Sequence, residues 1–160
     1  MLDLSAPFDV IDHTILRDRL EYAFGISGSA LQWLLSYLHD RTQCIAIGSV
    51  HSELFRLQCG VPQCSVLGPK LYCIFCKPIA EICRRHSMSY QCYADDTQMY
   101  LVFEPQNNWS DTSKQLEDCL VDISSWMSSN MLKLNEDKTE LMLFAPKHQV
   151  MQLNECYLIF

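Results

Sequence analysis

A chain of 160 residues, 49% of them apolar and few of them Gly or Pro, has the length and composition for a packed core, which excludes a wholly disordered chain. Its formal net charge of −7 excludes a generally basic nucleic-acid-binding surface, so any polyanion contact must be local, carried by a metal, or made by parts outside this sequence. Nine cysteines without a secretory leader in "MLDLSAPFDV" read as reduced thiols, and no apolar run reaches membrane-spanning length; the expectation is an intracellular chain, nucleus or cytoplasm left open.

In chain order, "MLDL" has the alternation of a strand stub. Ile15, Leu16, Arg19, Leu20 and Ala23 follow helical spacing, with Asp12 as N-cap and Gly25 as terminator. "SGSALQWLLSYLHD" predicts a second helix with Leu31, Leu34, Leu35 and Leu38 on its apolar side. "RTQCIAIGSVHSELFRLQCG" reads as a hairpin turning at Gly48–Ser49. A long helical segment is expected from about Ser65 to His86, strained by Pro69 and Pro78. It contains Cys73 and Cys76, a lone CxxC with no second pair to complete a zinc site, and core packing is the better reading of those thiols. "SYQCYADDTQMYLVF" predicts a second hairpin with two acids at its tip, and "EPQNNWSD" a polar linker. Leu116, Cys119, Leu120, Ile123, Trp126 and Met127 mark an amphipathic helix, and "LKLNEDKTELMLF" a final β-rich segment. The order implies an α+β fold in which helices pack mainly on one face of an antiparallel sheet.

Asp95 and Asp96 stand inside a strand-like run. Two carboxylates about 4 Å apart at an effective dielectric near 20 repel by roughly 4 kcal/mol, so both cannot enter an apolar core. An exposed Asp-Asp turn is one solution. A divalent cation held by hard oxygen ligands is the other, and paired cations are a standard device of phosphoryl transfer. A metal pair needs a further carboxylate, and Asp3, flanked by Leu2 and Leu4, suits a strand edge. Asp9 and Asp12 compete for that role, but capping or helix-dipole roles account for them.

Four blocks, "LDLSAPFDVIDH", "GVPQCSVLGPKL", "YADDTQMY" and "LKLNEDKTELMLF", stand in the order found in the palm of non-LTR (LINE-type) retrotransposon reverse transcriptases. Connecting phrases such as "WLLSYLHDRTQ" resemble the vertebrate chicken-repeat branch of that family. The resemblance spans residues 1–147 as a palm region truncated at its N-terminus, with fingers and thumb largely missing, and leaves 148–160 as an unassigned tail. It implies an RNA-directed DNA polymerase using two Mg²⁺ or Mn²⁺ ions, with RNA template, DNA primer and dNTP as partners and no membrane. Carried over residue by residue, Asp3 and Asp95 hold the catalytic metal with Asp96 as a supporting ligand, and Lys138 lies near the departing pyrophosphate. Phe8 blocks a ribose 2′-OH, and Gln63 positions template and incoming nucleotide. Read bare, Lys138 is a solvated lysine and Phe8 a core aromatic.

The sequence departs from the family at Cys64, where glycine is usual, and at Pro7, where alanine is usual. Glycine would allow positive φ beside the nascent base pair, and Pro7 removes an N–H and fixes φ near the Asp3 strand. Without the missing positioning elements the isolated chain is expected to bind nucleic acid weakly and not to polymerise. The alternative is a catalytically inert remnant or a non-catalytic interaction module.

Overall fold

The computed structural model describes residues 2–103 and 109–144, which divide into two compact units, Ala6–Phe75 and a discontinuous one of Met1–Ser5 with Cys76–Phe160. The fold is mixed α+β, and its strands pair antiparallel in three two-stranded ladders among the described residues rather than in one continuous sheet.

In the first unit, α1 (His13–Asp18) starts where Asp12 accepts hydrogen bonds from the Thr14 and Ile15 amides, satisfying two orphan N–H groups. A wide π-helical turn, Arg19–Ala23, carries the chain on, and Gly25 at φ +68° stops it. Leu16 and Leu20 are wholly buried, whereas Ala23, expected on the same face, is exposed beyond the widened turn. In α2 (Gly28–Leu38), Leu31 and Leu38 are buried and Leu34 and Leu35 half-buried.

The expected hairpin follows as two short ladders, β1 (Thr42–Gln43) with β4 (Phe55–Arg56) and β2 (Ala46–Ile47) with β3 (Val50–His51). α3 (Gly68–Phe75) contributes Leu71, Tyr72 and Phe75 to the core, joined by Ile11 and Val61. Gly68 is required where it stands, since a Cβ there would lie 2.3 Å from the Pro62 carbonyl oxygen. Arg19 lays its guanidinium 4.4 Å from the centroid of the Phe75 ring, where cation–π attraction adds to packing.

The single helix expected over 65–86 is two helices: α3 ends at Phe75, and α4 (Lys77–Arg85) restarts after Cys76. Pro78 is the cause. It lacks the N–H that a continuous helix needs and is tolerated only in a first turn, where it now sits; Pro69 likewise falls in the first turn of α3.

In the second unit, α5 (Trp109–Ser129) repeats Cys119, Ile123 and Met127 at intervals of four and buries them completely or nearly so. α5 packs on α4, which buries Ile79, Ile82 and Cys83, and Cys119 interacts with Cys83. Each such side chain, fully withdrawn from water, contributes roughly 1.5–3 kcal/mol. On the rim of this pair His86 Nε2 donates to Asp122 Oδ2 at 2.8 Å, with Arg85 3.6 Å from the same oxygen. The bond from His86 holds the Asp122 carboxyl below its ordinary range.

Residues 104–108 of the expected linker lie outside the described residues, and Trp109–Asp111 open α5 instead. The β-rich stretch expected over 132–144 forms only one bridge, at Leu134, and then a 3₁₀ turn over Glu136–Lys138. The Lys138 amide returns to the Asn135 carbonyl and the Thr139 amide to the Glu136 carbonyl, so the chain turns instead of extending. The expected tail, 148–160, lies outside the described residues.

Candidate active site

The two acids occupy different positions on one hairpin. β5 (Ser89–Tyr93) and β6 (Asp96–Tyr100) pair from Ser89↔Tyr100 to Tyr93↔Asp96, leaving Ala94 and Asp95 as the turn. Asp95 is therefore at the tip, while Asp96 already belongs to the ladder. Ala94 adopts φ +52°, a region that favours glycine, and the Cys92 thiol donates to its carbonyl at 3.1 Å, tying the turn back to the strand.

Asp3 reaches this hairpin through main-chain pairing. The Leu2 amide donates to the Thr97 carbonyl at 2.8 Å, and Leu2 bridges Thr97 antiparallel. On the other side Leu4 bridges Leu134, and the Ser5 amide donates to the Lys133 carbonyl. Residues 2–5 thus run between β6 and the segment 133–135.

One step on from the Leu2–Thr97 bridge stand Asp3 and Asp96. Opposed residues of an antiparallel pair project to one face with Cβ atoms about 5 Å apart. Leu2, Leu4 and Thr97 take the buried face, so alternation assigns Asp3 and Asp96 to the other; Asp96 is exposed and Asp3 half-buried.

Asp3 is also gripped from the 3₁₀ region. Asn135 Nδ2 donates to Asp3 Oδ2 at 3.0 Å, and the Asn135 amide donates to the Asp3 carbonyl at 2.9 Å. The Thr139 hydroxyl donates to the Asn135 carbonyl at 2.8 Å and lies 3.5 Å from the Asp3 amide that it accepts from. Asn135 and Thr139 were not foreseen from sequence; their only signal is that they share a block with Lys138. Lys138 itself is exposed at the end of the 3₁₀ turn, and no ion pair joins it to an acid among the described residues.

Phe8 and Gln63 belong to the other unit. The half-buried Phe8 ring packs on Tyr72 with centroids 5.0 Å apart, and its carbonyl accepts from the Val61 amide. Gln63 Nε2 donates to Asp9 Oδ1 at 3.0 Å, so the Asp9 side chain, expected to cap a helix or face its dipole, instead holds the "GVPQC" loop. Asp12 does cap, as expected. The same loop is fixed at Gly60, whose carbonyl accepts from His13 Nε2 at 2.8 Å and Arg41 Nη1 at 2.9 Å. Cys64 adopts φ +54°, the left-handed conformation that a side chain disfavours by roughly 1–2 kcal/mol.

The donor chemistry of Asp3, Asp95 and Asp96 fits a hard divalent cation: all three are carboxylates, and none is ion-paired among the described residues. Their side chains do not form a ready-made three-ligand cluster, and no such cluster of His, Cys, Asp or Glu occurs among the described residues. No helix among these residues is long and apolar enough to cross a membrane.

The hairpin acids and Asp3 on the segment bridged to it are the candidate site, and comparison with known proteins gives the class. The sequence profile of the reverse transcriptase (RNA-dependent DNA polymerase) family matches residues 1–155, and the chain belongs to that family. It is similar to three proteins of Drosophila melanogaster. The probable RNA-directed DNA polymerase from transposon BS is 28% identical over 86% of this chain and 15% of that protein. The RNA-directed DNA polymerase from mobile element jockey is 26% identical over 90% and 16%, and the probable enzyme from transposon X-element 26% over 92% and 16%. The chain thus spans about a sixth of the length of these relatives.

Proposed function

We propose that this chain is the palm portion of a non-LTR, LINE-type reverse transcriptase, of the vertebrate chicken-repeat kind, within residues 1–147. Its helices would cover mainly one face of the sheet and leave the acid-bearing face open. The observation that supports the reading is the Leu2–Thr97 bridge, whose antiparallel register would set Asp3 opposite Asp96 beside the hairpin tip. The reaction would be attack of a DNA primer 3′-OH on the α-phosphate of a dNTP, directed by an RNA template.

Asp3, Asp95 and Asp96 would hold the metals. Two Mg²⁺ or Mn²⁺ ions, when bound, supply the positive charge that makes the hydroxyl a better nucleophile and stabilises the developing negative charge. Lys138, on a turn tied to Asp3 through Asn135, is the group to supply a proton or a positive charge to the departing pyrophosphate. Phe8, wedged against Tyr72, is the aromatic wall that excludes a 2′-OH, and Gln63 orients template and nucleotide from a loop anchored on Asp9.

With a net charge of −7, the chain alone grips a polyanion weakly, so metal binding is the more direct test. Mn²⁺ at tenfold its Kd is expected to add about 1.4 kcal/mol and raise Tm by about 3 °C in the parent. Asp96→Asn should lose that shift. Equal shifts in both proteins would remove the metal site.

A second reading, an inert remnant or interaction module, is favoured by the strained Cys64 in the loop meant to position the nucleotide. Primer extension by the chain on a polyribonucleotide template can overturn this second reading. Incorporation that vanishes in Asp95→Asn defeats the remnant reading.

A further inference from the structure

Asn135 holds Asp3 by both its main chain and its side chain. The peptide N–H fixes the Asp3 carbonyl, and the side-chain amide fixes Asp3 Oδ2. Behind it, the Thr139 hydroxyl donates to the Asn135 carbonyl and accepts, at longer range, from the Asp3 amide. A hydroxyl has one donor and two acceptor positions, so this closed circuit uses it within its capacity.

We infer that Asn135 is a positioning residue for the Asp3 carboxylate, with Thr139 as its brace; this rests on Asp3 being a metal ligand. With Oδ2 engaged by an amide, the carboxylate has a restricted χ2, and Oδ1 is the other atom it can offer a cation. The chemistry of the partner matters as much as its place. A lysine or arginine at 135 would neutralise the carboxylate and compete with a cation, whereas a neutral amide orients it and leaves its charge intact. The cationic Lys138 is set apart from the carboxylate by the same turn, whose first hydrogen bond runs from the Lys138 amide to the Asn135 carbonyl. Asn135 thus connects the residue that holds metal to the residue that faces the leaving group.

The test measures bound Mn²⁺ on the whole 160-residue chain by electron paramagnetic resonance, with urea unfolding in metal-free buffer as a separate readout. Asn135→Leu, close in shape but without a donor, and Asn135→Ala are expected to raise the half-saturating Mn²⁺ concentration about tenfold. Thr139→Ser, which keeps the hydroxyl, should bind within about twofold of the parent, and Thr139→Val more weakly than Thr139→Ser. An altered urea midpoint with unchanged Mn²⁺ half-saturation in the Asn135 variants would overturn the positioning role. If those variants fail to fold, the Thr139 pair decides, equal Mn²⁺ binding by Ser and Val being the overturning result. Asp3→Asn separates the two levels of the argument. When Asp3→Asn abolishes binding but the Asn135 variants leave it intact, only this inference falls; when Asp3→Asn leaves binding intact, the metal reading falls and takes the inference with it.

Discussion

The two hairpins of this chain are built from similar material and end in opposite conditions. β5–β6 is a ladder of five consecutive pairs with Thr97 buried beneath it and Leu2 docked along its free edge. The hairpin of β1–β4 is interrupted into two ladders of two pairs each, and leaves Ile45, Ile47, Val50, Leu54 and Phe55 exposed. The β1–β4 hairpin turns at Gly48–Ser49 as expected, and the β5–β6 hairpin one residue earlier than the expected Asp-Asp tip, at Ala94–Asp95. The difference lies in what each rests on within its unit, because an isolated two-stranded ladder is marginal without a packed face. Support from distant parts of the chain, rather than strand propensity, is what makes one of them a continuous ladder.

The sharpest way to break the contrast is to remove that support. Leu4→Ala deletes a buried side chain next to Asp3 and is expected to cost about 2–4 kcal/mol. Hydrogen exchange should then accelerate at the β6 amides while the β1–β4 amides keep their rates. Equal acceleration in both would mean that the ladders share one cooperative unit.

A smaller effect comes from alkali. Burial above all, and then the neighbouring Cys83, push the Cys119 thiol up to about 12, and burial likewise raises Cys83. A thiol held neutral in the fold but ionising from about 9 when unfolded stabilises fully below that pH and loses its contribution as pH climbs toward 12. Urea melts should show lower stability at pH 10.5 than at pH 7.5, on the order of 1–2 kcal/mol from the Cys83–Cys119 pair together, and Cys119→Ala should shrink that difference. The smallest effect is expected on the exposed hairpin. Ile47→Thr should change stability by less than about 0.5 kcal/mol, since no buried contact is lost. A larger loss would show that this hairpin is supported after all.

What could be read from sequence was local. Asp12 as a cap, the spacing of Cys119, Ile123 and Met127, and the two turns all depend on residues a few positions apart, and all appear in the structure. The helix break at Cys76 was within reach, since Pro78 announced it, but the apolar periodicity on either side outweighed it in the reading. The turn over Glu136–Lys138 was hidden for another reason: Leu132 and Leu134 alternate like a strand, and only the tie from Asn135 to Asp3 shows why extension stops. The acids themselves were legible as types. Their register was not, because one hydrogen bond from Leu2 to Thr97 decides which acid faces Asp3, and local pattern carries no information about it.

Asp3 and its amide partner Asn135 are 132 residues apart, and the Thr139 hydroxyl is 136 from the Asp3 amide. Contacts of such separation close the largest loops in the chain, and the entropy of closing them is paid before any binding is gained. The strand that carries Asp3 should therefore dock after its hairpin has formed, and only once synthesis has passed Asn135. In kinetic terms Asp3 is a late arrival, and its docking rate, rather than the formation of the Asp-Asp turn, sets when Asp3 and that turn first stand together.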